Sequence, residues 1–245
     1  MDEMMRVLVA DNTPERKTIC DALFLENMTV FEASDGVKAT QLVYELMPDA
    51  VVLSIVLPSR DGLGILEHFA RNAADRYPHF IVITNMGDAV KARSLSLGAD
   101  AALNKPPDLA ELLRLLRSFQ GPSALALRHA ETRLPRVFAQ LREIGMPENL
   151  KGFSYLAQAV ALVSVETRAL RKATGFLYPY IAQITGASDH SVERAIRHAI
   201  ETTWTRGSVD ALHRAFGNSI DPQRGKPTNT ECIAMLAQQL RGMVR

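Results

Sequence analysis

The chain has 245 residues, of which 47% are hydrophobic and 22% are charged. This composition is typical of globular proteins, and the length is sufficient for about two domains. No apolar run approaches the roughly 20 residues that a membrane-spanning helix needs, so we expect no membrane span. The two cysteines, Cys20 and Cys232, lie far apart without companion metal ligands. We expect both to be buried, reduced thiols, as in a cytoplasmic protein.

The formal net charge of +1 is unevenly distributed along the chain. Residues 1–118 contain 12 basic and 17 acidic side chains, which is a net charge of −5. Residues 134–245 contain 14 basic and 9 acidic side chains, which is a net charge of +5. This asymmetry indicates that only the second half of the chain meets a polyanion.

Short apolar segments alternate with amphipathic segments over residues 1–118, which predicts an α/β domain with a doubly wound parallel sheet of the flavodoxin-like (βα)5 type. Strands are predicted at Arg6–Ala10, Thr29–Ala33, Ala50–Ile55, Phe80–Thr84 and Ala101–Leu103. Helices are predicted at Pro14–Glu26, Gly36–Leu46, Gly62–Ala73, Asp88–Leu97 and Leu109–Phe119. Functional groups of such sheets lie at the carboxyl ends of the strands. The polar residues there are Asp11, Asn12, Ser54, Thr84 and Lys105.

The pattern loosens over residues 119–133, which predicts a linker that is partly helical from Ala124 onward. The helical pattern of residues 134–245 predicts an all-α bundle of about six helices. The helical segments are Leu134–Ile144, Lys151–Val165, Ala169–Thr174, Tyr178–Thr185, a segment that includes Val192–Glu201, Ser208–Phe216 and Thr230–Met243.

A helix-turn-helix motif is predicted within this second domain. Pro179 suits the first turn of its first helix, and Gly186 suits the left-handed position at the end of that helix. Ser188 or Asp189 can cap the second helix. The second helix has an apolar stripe, and its charged face could reach base edges in the major groove of DNA. Two packed helices with a solvated basic face remain the alternative.

Residues 4–118 resemble the receiver domain of response regulators. The resemblance is based on Val7–Asp11, Pro48–Pro58, Asp61-Gly62, Gly98-Ala99-Asp100 and Lys105-Pro106. It implies self-catalysed phosphorylation, in which an acidic pair after the first strand and an aspartate after the third strand hold Mg²⁺. The aspartate after the third strand accepts the phosphoryl group, and a Thr or Ser and a Lys bind the phosphoryl oxygens.

The sequence departs from this pattern where the chemistry takes place. Ser54 occupies the phosphoacceptor position and Asn12 the second acidic position, whereas Asp11, Thr84 and Lys105 are retained. Two of the three negative charges that would hold Mg²⁺ are therefore missing, and we expect weak or no Mg²⁺ binding and no other cofactor. We expect Lys105 to pair with Asp11 or to form a hydrogen bond with Ser54.

Phosphorylation of Ser54 by the usual phosphohistidine route is not expected, because no general base is available to activate its hydroxyl group. Ala101 and Ala102 also stand where receivers carry an aromatic residue that swings inward on phosphorylation. These departures predict a degenerate receiver. The retained polar residues could be structural, or they could serve a different ligand or protein partner.

Residues from about 141 to 241 resemble the DNA-binding domain of the stage-zero sporulation response regulators, which control endospore formation. The matching segments include Glu143-Ile144-Gly145, Pro147, Lys151-Gly152, Tyr155-Leu156, Leu177-Tyr178-Pro179, Val192–Glu201, Trp204, Arg206-Gly207, Phe216-Gly217, Lys226–Asn229 and Ile233-Ala234-Met235. The order of the two domains matches this family as well.

This resemblance implies that Glu193 and Arg194 approach base edges. The family usually has an arginine before the Val-Glu-Arg triplet, but this chain has Ser191 there. Serine cannot form a bidentate contact, which is worth about 1–3 kcal/mol of base discrimination, so we expect an altered or relaxed sequence preference. Arg197 and His198, which lie farther along the helix, and the flanking Lys226 are expected to contact phosphates. The complete expected DNA-contacting set is Ser188, His190, Ser191, Glu193, Arg194, Arg197, His198 and Lys226.

The sequence therefore predicts a cytoplasmic transcriptional regulator that binds double-stranded DNA independently of phosphorylation and that could form a homodimer. One alternative is a partner-binding module that forms a heterodimer with a phosphorylatable paralogue and antagonises it. Another alternative is a two-component regulator with an unusual acceptor near Asp11 or Asp49. The sequence contains no nucleophile–base pair or metal cluster that would indicate an enzyme.

Overall fold

The computed structural model describes residues 4–72, 77–119, 121–171, 173–207, 209–217 and 225–242. The chain divides into two compact units, residues 1–128 and residues 129–245. No helix in the described part of the chain is long and apolar enough to cross a membrane.

The first unit contains a five-stranded parallel sheet with the strand order β2-β1-β3-β4-β5. Its strands are β1 (Arg6–Ala10), β2 (Thr29–Ala33), β3 (Ala50–Ser54), β4 (His79–Thr84) and β5 (Ala101–Asn104). Its helices are α1 (Glu15–Leu25), α2 (Gly36–Leu46), α3 (Gly62–Arg71), α4 (Asp88–Leu97) and α5 (Leu109–Ser118). The predicted α/β fold class is confirmed.

The three central strands β1, β3 and β4 are almost entirely buried because helices cover both faces of the sheet. One face packs against α1 and α5, and this cluster includes Val9, Leu23, Val52, Ile81 and Leu112. Burial on both faces explains why these strands are continuous apolar runs in the sequence, without polar alternation. The polar residues that follow the runs therefore mark the carboxyl edge of the sheet.

The regular elements in the described part of the second unit are all helices, as predicted. Helix α6 (Ala124–Glu143) contains the boundary between the two units. It is followed by α7 (Lys151–Val163), α8 (Arg168–Arg171), a π-helical turn (Ala173–Leu177), α9 (Tyr178–Thr185), α10 (Asp189–Arg206), α11 (Val209–Phe216) and α12 (Asn229–Gly242). The predicted helix ends at Ser208 and Met243 lie outside the described residues.

Helix α6 begins at Ala124, where the linker was predicted to become helical, and it continues without a break through the helix predicted from Leu134. The Oδ1 atom of Asp100 accepts a hydrogen bond from the amide of Ala124 at 2.9 Å, and Ser123 Oγ accepts one from the amide of Ala126 at 3.2 Å. These side chains satisfy amide groups at the start of the helix, which would otherwise lack partners.

The predicted helix Ala169–Thr174 is replaced by the four-residue α8 and the π-helical turn. Thr174 and Gly175 both have low helix propensity, and a π-helical turn is a common local irregularity between helical segments. The turn leads directly into α9.

Both cysteines are free thiols and are buried, as predicted. Burial raises the pKa of Cys20 to about 11 and that of Cys232 to about 12. Both groups are therefore neutral thiols near pH 7 and behave as small apolar side chains.

Candidate functional site

Parallel strand register brings three polar side chains together at the carboxyl edge of the sheet. Ala10 pairs with Leu53, so Asp11 follows at the level of Ser54. Ser54 pairs with Ile83, so Thr84 follows on the next strand. All three side chains are buried although they are polar.

Lys105 occupies the centre of this group. Its Nζ atom donates a hydrogen bond to Asp11 Oδ1 at 2.7 Å and another to Ser54 Oγ at 3.3 Å. Asp11 has no exposed surface, and only 12% of the Lys105 side chain is exposed. The sequence predicted one or the other of these contacts, and the structure contains both.

The remaining contacts of Asp11 are local. Its Oδ1 atom also accepts hydrogen bonds from the amide and the hydroxyl group of Thr13, at 3.0 Å and 2.9 Å. Its Oδ2 atom is buried without a hydrogen-bond partner. Asn12 is exposed, and Thr84 Oγ1 accepts a hydrogen bond from the amide of Met86 at 3.1 Å.

A cavity of about 300 Å³ adjoins these groups. It is lined by Thr13, Glu15, Ser54, Val56, Ile83, Thr84, Asn85, Lys105 and Pro106. Sequence reasoning missed Glu15, although its place in the first turn of the helix after β1 was available as a signal. The neighbouring Thr13 side chain lowers the pKa of Glu15 below its usual value, so this carboxylate is ionised at neutral pH.

The donor set at this edge does not fit Mg²⁺. This ion prefers several charged oxygen ligands in octahedral geometry. Here the ammonium group of Lys105 already contacts Asp11. The neutral hydroxyl group of Ser54 occupies the acceptor position, and Asn12 contributes no charge. The described residues contain no group of three or more His, Cys, Asp or Glu side chains that could hold a metal ion.

In the second unit, α9 and α10 form the predicted helix-turn-helix. Gly186 ends α9 in the left-handed conformation, with φ of 67°, which favours glycine over other residues. Ser188 caps α10 by accepting a hydrogen bond from the amide of Ser191, and the hydroxyl groups of these two serines lie 2.8 Å apart. Both predicted caps are confirmed.

One face of α10 is buried against α7, α9 and α12. The buried residues are Val192, Ile196, Ala199, Ile200 and Thr203. Gly152 in α7 permits this packing, since a Cβ atom added there would lie 2.0 Å from the carbonyl oxygen of Ala195. The opposite face presents the exposed residues His190, Ser191, Arg194, Arg197 and His198.

Charged residues on α10 differ in whether they have partners. Arg197 pairs with Glu193 at 2.5 Å, and Lys226 pairs with Glu201 at 2.7 Å. Arg194 is exposed and forms no ion pair with the described residues. The predicted role of Glu193 at a base edge did not include this ion pair with Arg197, although the i, i+4 spacing of the two residues was a signal for it.

The segment that precedes α12 lies alongside α10. In addition to the Lys226–Glu201 pair, the Nδ2 atom of Asn229 donates a hydrogen bond to the carbonyl oxygen of Glu193 at 3.0 Å. The hydrogen bond from Lys226 lowers the pKa of Glu201 below its usual value. Between these elements lies a cavity of about 570 Å³, lined by Ala173, Thr174, Tyr178, Glu193, Arg197, Ile200, Glu201, Lys226, Pro227, Thr228, Asn229 and Thr230.

Comparisons with known proteins assign each unit to a family. Residues 7–117 match the model of the response regulator receiver domain. Residues 137–240 match the model of the sporulation initiation factor Spo0A C-terminal domain. Together these two matches span most of the chain, in the domain order that the sequence predicted.

Solved structures resemble the first unit. A receiver domain from Bermanella marisrubri is 25% identical, covers 47% of this chain and 97% of its own, and has a TM-score of 0.45. The receiver domain of the Francisella response regulator 1452 is 23% identical, covers 46% of this chain and 93% of its own, and has a TM-score of 0.43. The assignment depends on the family models and not on these likenesses. The chain therefore combines a response regulator receiver domain with a C-terminal domain of the sporulation initiation factor Spo0A type, and this combination is that of a DNA-binding transcription factor.

Proposed function

We propose that this regulator binds DNA through α10 without phosphorylation of its receiver domain. The observation that carries the proposal is the buried ion pair between Lys105 and Asp11, with Ser54 at the acceptor position. The ammonium group of Lys105 neutralises Asp11, which is the one retained carboxylate of the acidic pair. We further propose that Mg²⁺ binds this pocket weakly or not at all, because the neutral side chains of Asn12 and Ser54 replace two carboxylates.

The proposed DNA contacts follow from exposure and charge on α10. Arg194 is exposed and without an ion pair among the described residues, so its guanidinium group is available for bidentate contact with a guanine. Arg197, His198 and Lys226 are proposed to contact phosphate. The proposed interface is completed by Ser188, His190, Ser191 and Glu193. The carboxylate of Glu193 is paired with Arg197, so it must release Arg197 before it can accept a hydrogen bond from a cytosine amine. The proposal includes a cytoplasmic location, where such a regulator reaches chromosomal DNA.

Incubation with acetyl phosphate and Mg²⁺ tests the phosphorylation part of this proposal. We expect the wild-type chain to remain unmodified by mass spectrometry and its DNA affinity to remain unchanged. The double variant Asn12→Asp/Ser54→Asp restores the missing carboxylates, so we expect Mg²⁺-dependent phosphorylation in that variant and not in either single variant.

A phosphorylated wild-type chain with tighter DNA binding would contradict the proposal. A double variant that stays unmodified would contradict the claim that these two positions account for the loss. Acid-labile phosphate mapped to Asp11 or Asp49 of the wild-type chain would instead support the alternative of an unusual acceptor.

A second candidate function is antagonism of a phosphorylatable paralogue through dimer formation. Exposed apolar side chains near the degenerate pocket favour it, since 57% of Val56 and 54% of Met86 are exposed in the segments that follow β3 and β4. Size-exclusion chromatography of a mixture with such a paralogue would show heterodimers. Elution of this chain only as its own homodimer or monomer would count against this candidate.

A further inference from the structure

We propose that Glu201 limits DNA affinity by holding the Lys226 ammonium group in competition with a backbone phosphate. This inference depends on the proposed function, because it assumes that α10 and the segment containing Lys226 meet DNA. It adds Glu201, a side chain outside the expected DNA-contacting set, as a regulator of that contact.

The geometry of one stripe of α10 supports this inference. Glu193, Arg197 and Glu201 follow one another at intervals of four residues, so they lie on the same side of the helix. Arg197 pairs with Glu193, and Lys226 reaches Glu201 from the facing segment. All four groups line the same cavity. Two cations near the proposed DNA surface, Arg197 and Lys226, are thus each matched by a carboxylate, and the four groups together carry no net charge.

The Lys226–Glu201 pair is weak enough to be replaced by a phosphate. The two side chains are 48% and 44% exposed, and exposed ion pairs contribute only about 0–1 kcal/mol. A DNA duplex presents one negative charge for about every 1.7 Å along its axis, and neutralising a phosphate releases a condensed counterion. Glu201 opposes this exchange in two ways, since it occupies a donor of Lys226 and repels the phosphate directly.

Lys226 is held near α10 by contacts that do not involve Glu201. Asn229 donates a hydrogen bond to the carbonyl oxygen of Glu193. Thr228 donates its amide and hydroxyl hydrogen bonds to Glu231 at 2.7 Å and 2.9 Å, which fixes the start of α12. Replacing Glu201 therefore frees the ammonium group without releasing the segment that carries it.

The test measures DNA binding of the full chain by fluorescence anisotropy with a mixed-sequence duplex, between about 50 and 200 mM salt. We expect Glu201→Gln to tighten binding about three- to tenfold at the lowest salt and to steepen the slope of log K against log salt by about 0.9, as one added phosphate contact requires. Lys226→Gln is expected to weaken binding. In the double variant Glu201→Gln/Lys226→Gln, the gain from the Glu201 substitution should disappear.

Glu148→Gln is the matched control, because Glu148 also forms an exposed ion pair, with Arg142 at 2.8 Å, and its substitution changes the net charge equally. Equal tightening by Glu148→Gln, or tightening by Glu201→Gln that persists without Lys226, would show a general charge effect and overturn the inference. Weaker binding of Glu201→Gln would show that Glu201 positions Lys226 and would also overturn it. If neither the wild-type chain nor any of the variants bound DNA, the proposed function itself would be overturned.

Discussion

Replacing Lys105 by methionine is expected to lower the free energy of unfolding of the first unit by about 3–5 kcal/mol, because it leaves a buried carboxylate without its partner. Asp11 has no exposed surface, and the Lys105 ammonium group lies 2.7 Å from its Oδ1 atom. Its Oδ2 atom is already without a partner, so the local structure offers little further compensation. Urea denaturation at neutral pH, followed by circular dichroism, measures the change.

The chain supplies an internal control for this measurement. Trp204 is the single tryptophan and lies in the second unit, so its fluorescence reports that unit alone. We expect the fluorescence transition of Lys105→Met to match that of the wild type. The double variant Asp11→Asn/Lys105→Met removes the buried charge together with its partner and should recover most of the stability. A loss below about 1 kcal/mol in the single variant would show that Asp11 does not depend on Lys105.

Replacing Arg194 by alanine is expected to weaken binding to a preferred DNA site by about 1–3 kcal/mol, or about 5- to 150-fold, and to reduce discrimination between sequences. On the exposed face of α10, Arg194 forms no ion pair with the described residues, whereas Arg197 pairs with Glu193. Ser191 cannot replace Arg194, because a serine cannot make a bidentate contact and its hydroxyl group already lies 2.8 Å from that of Ser188.

The measurement uses a duplex selected by the wild-type protein from a random-sequence pool, compared with a scrambled duplex at the same salt concentration. Arg194→Lys serves as the control, because it keeps the positive charge and loses the bidentate geometry. We expect Arg194→Lys to retain the wild-type salt dependence while losing discrimination. An unchanged ratio of specific to non-specific affinity in Arg194→Ala would exclude Arg194 from base recognition.

Local sequence patterns predicted the elements whose cause is local. Burial of β1, β3 and β4 on both faces produces apolar runs, and those runs marked the strands to within one or two residues. The helix-turn-helix could also be predicted, because its caps are local. The amide of Gly186 donates to the carbonyl oxygen of Ala182, and the side chain of Ser188 accepts from the amide of Ser191. The start of α6 at Ala124 was predicted as well, but its cap was not, since that cap comes from Asp100, which is 24 residues distant from Ala124.

The sequence by itself determined which chemical groups this protein has: a serine at the acceptor position, an asparagine in the acidic pair and a helix with exposed arginines. The tertiary structure decided which of these groups are paired. Lys105 and Asp11 are 94 residues apart and meet through parallel strand register, and Lys226 and Glu201 are 25 residues apart and meet through packing of the segment before α12. Ion pairing depends on distances of a few ångströms, which only the packing of the folded chain sets.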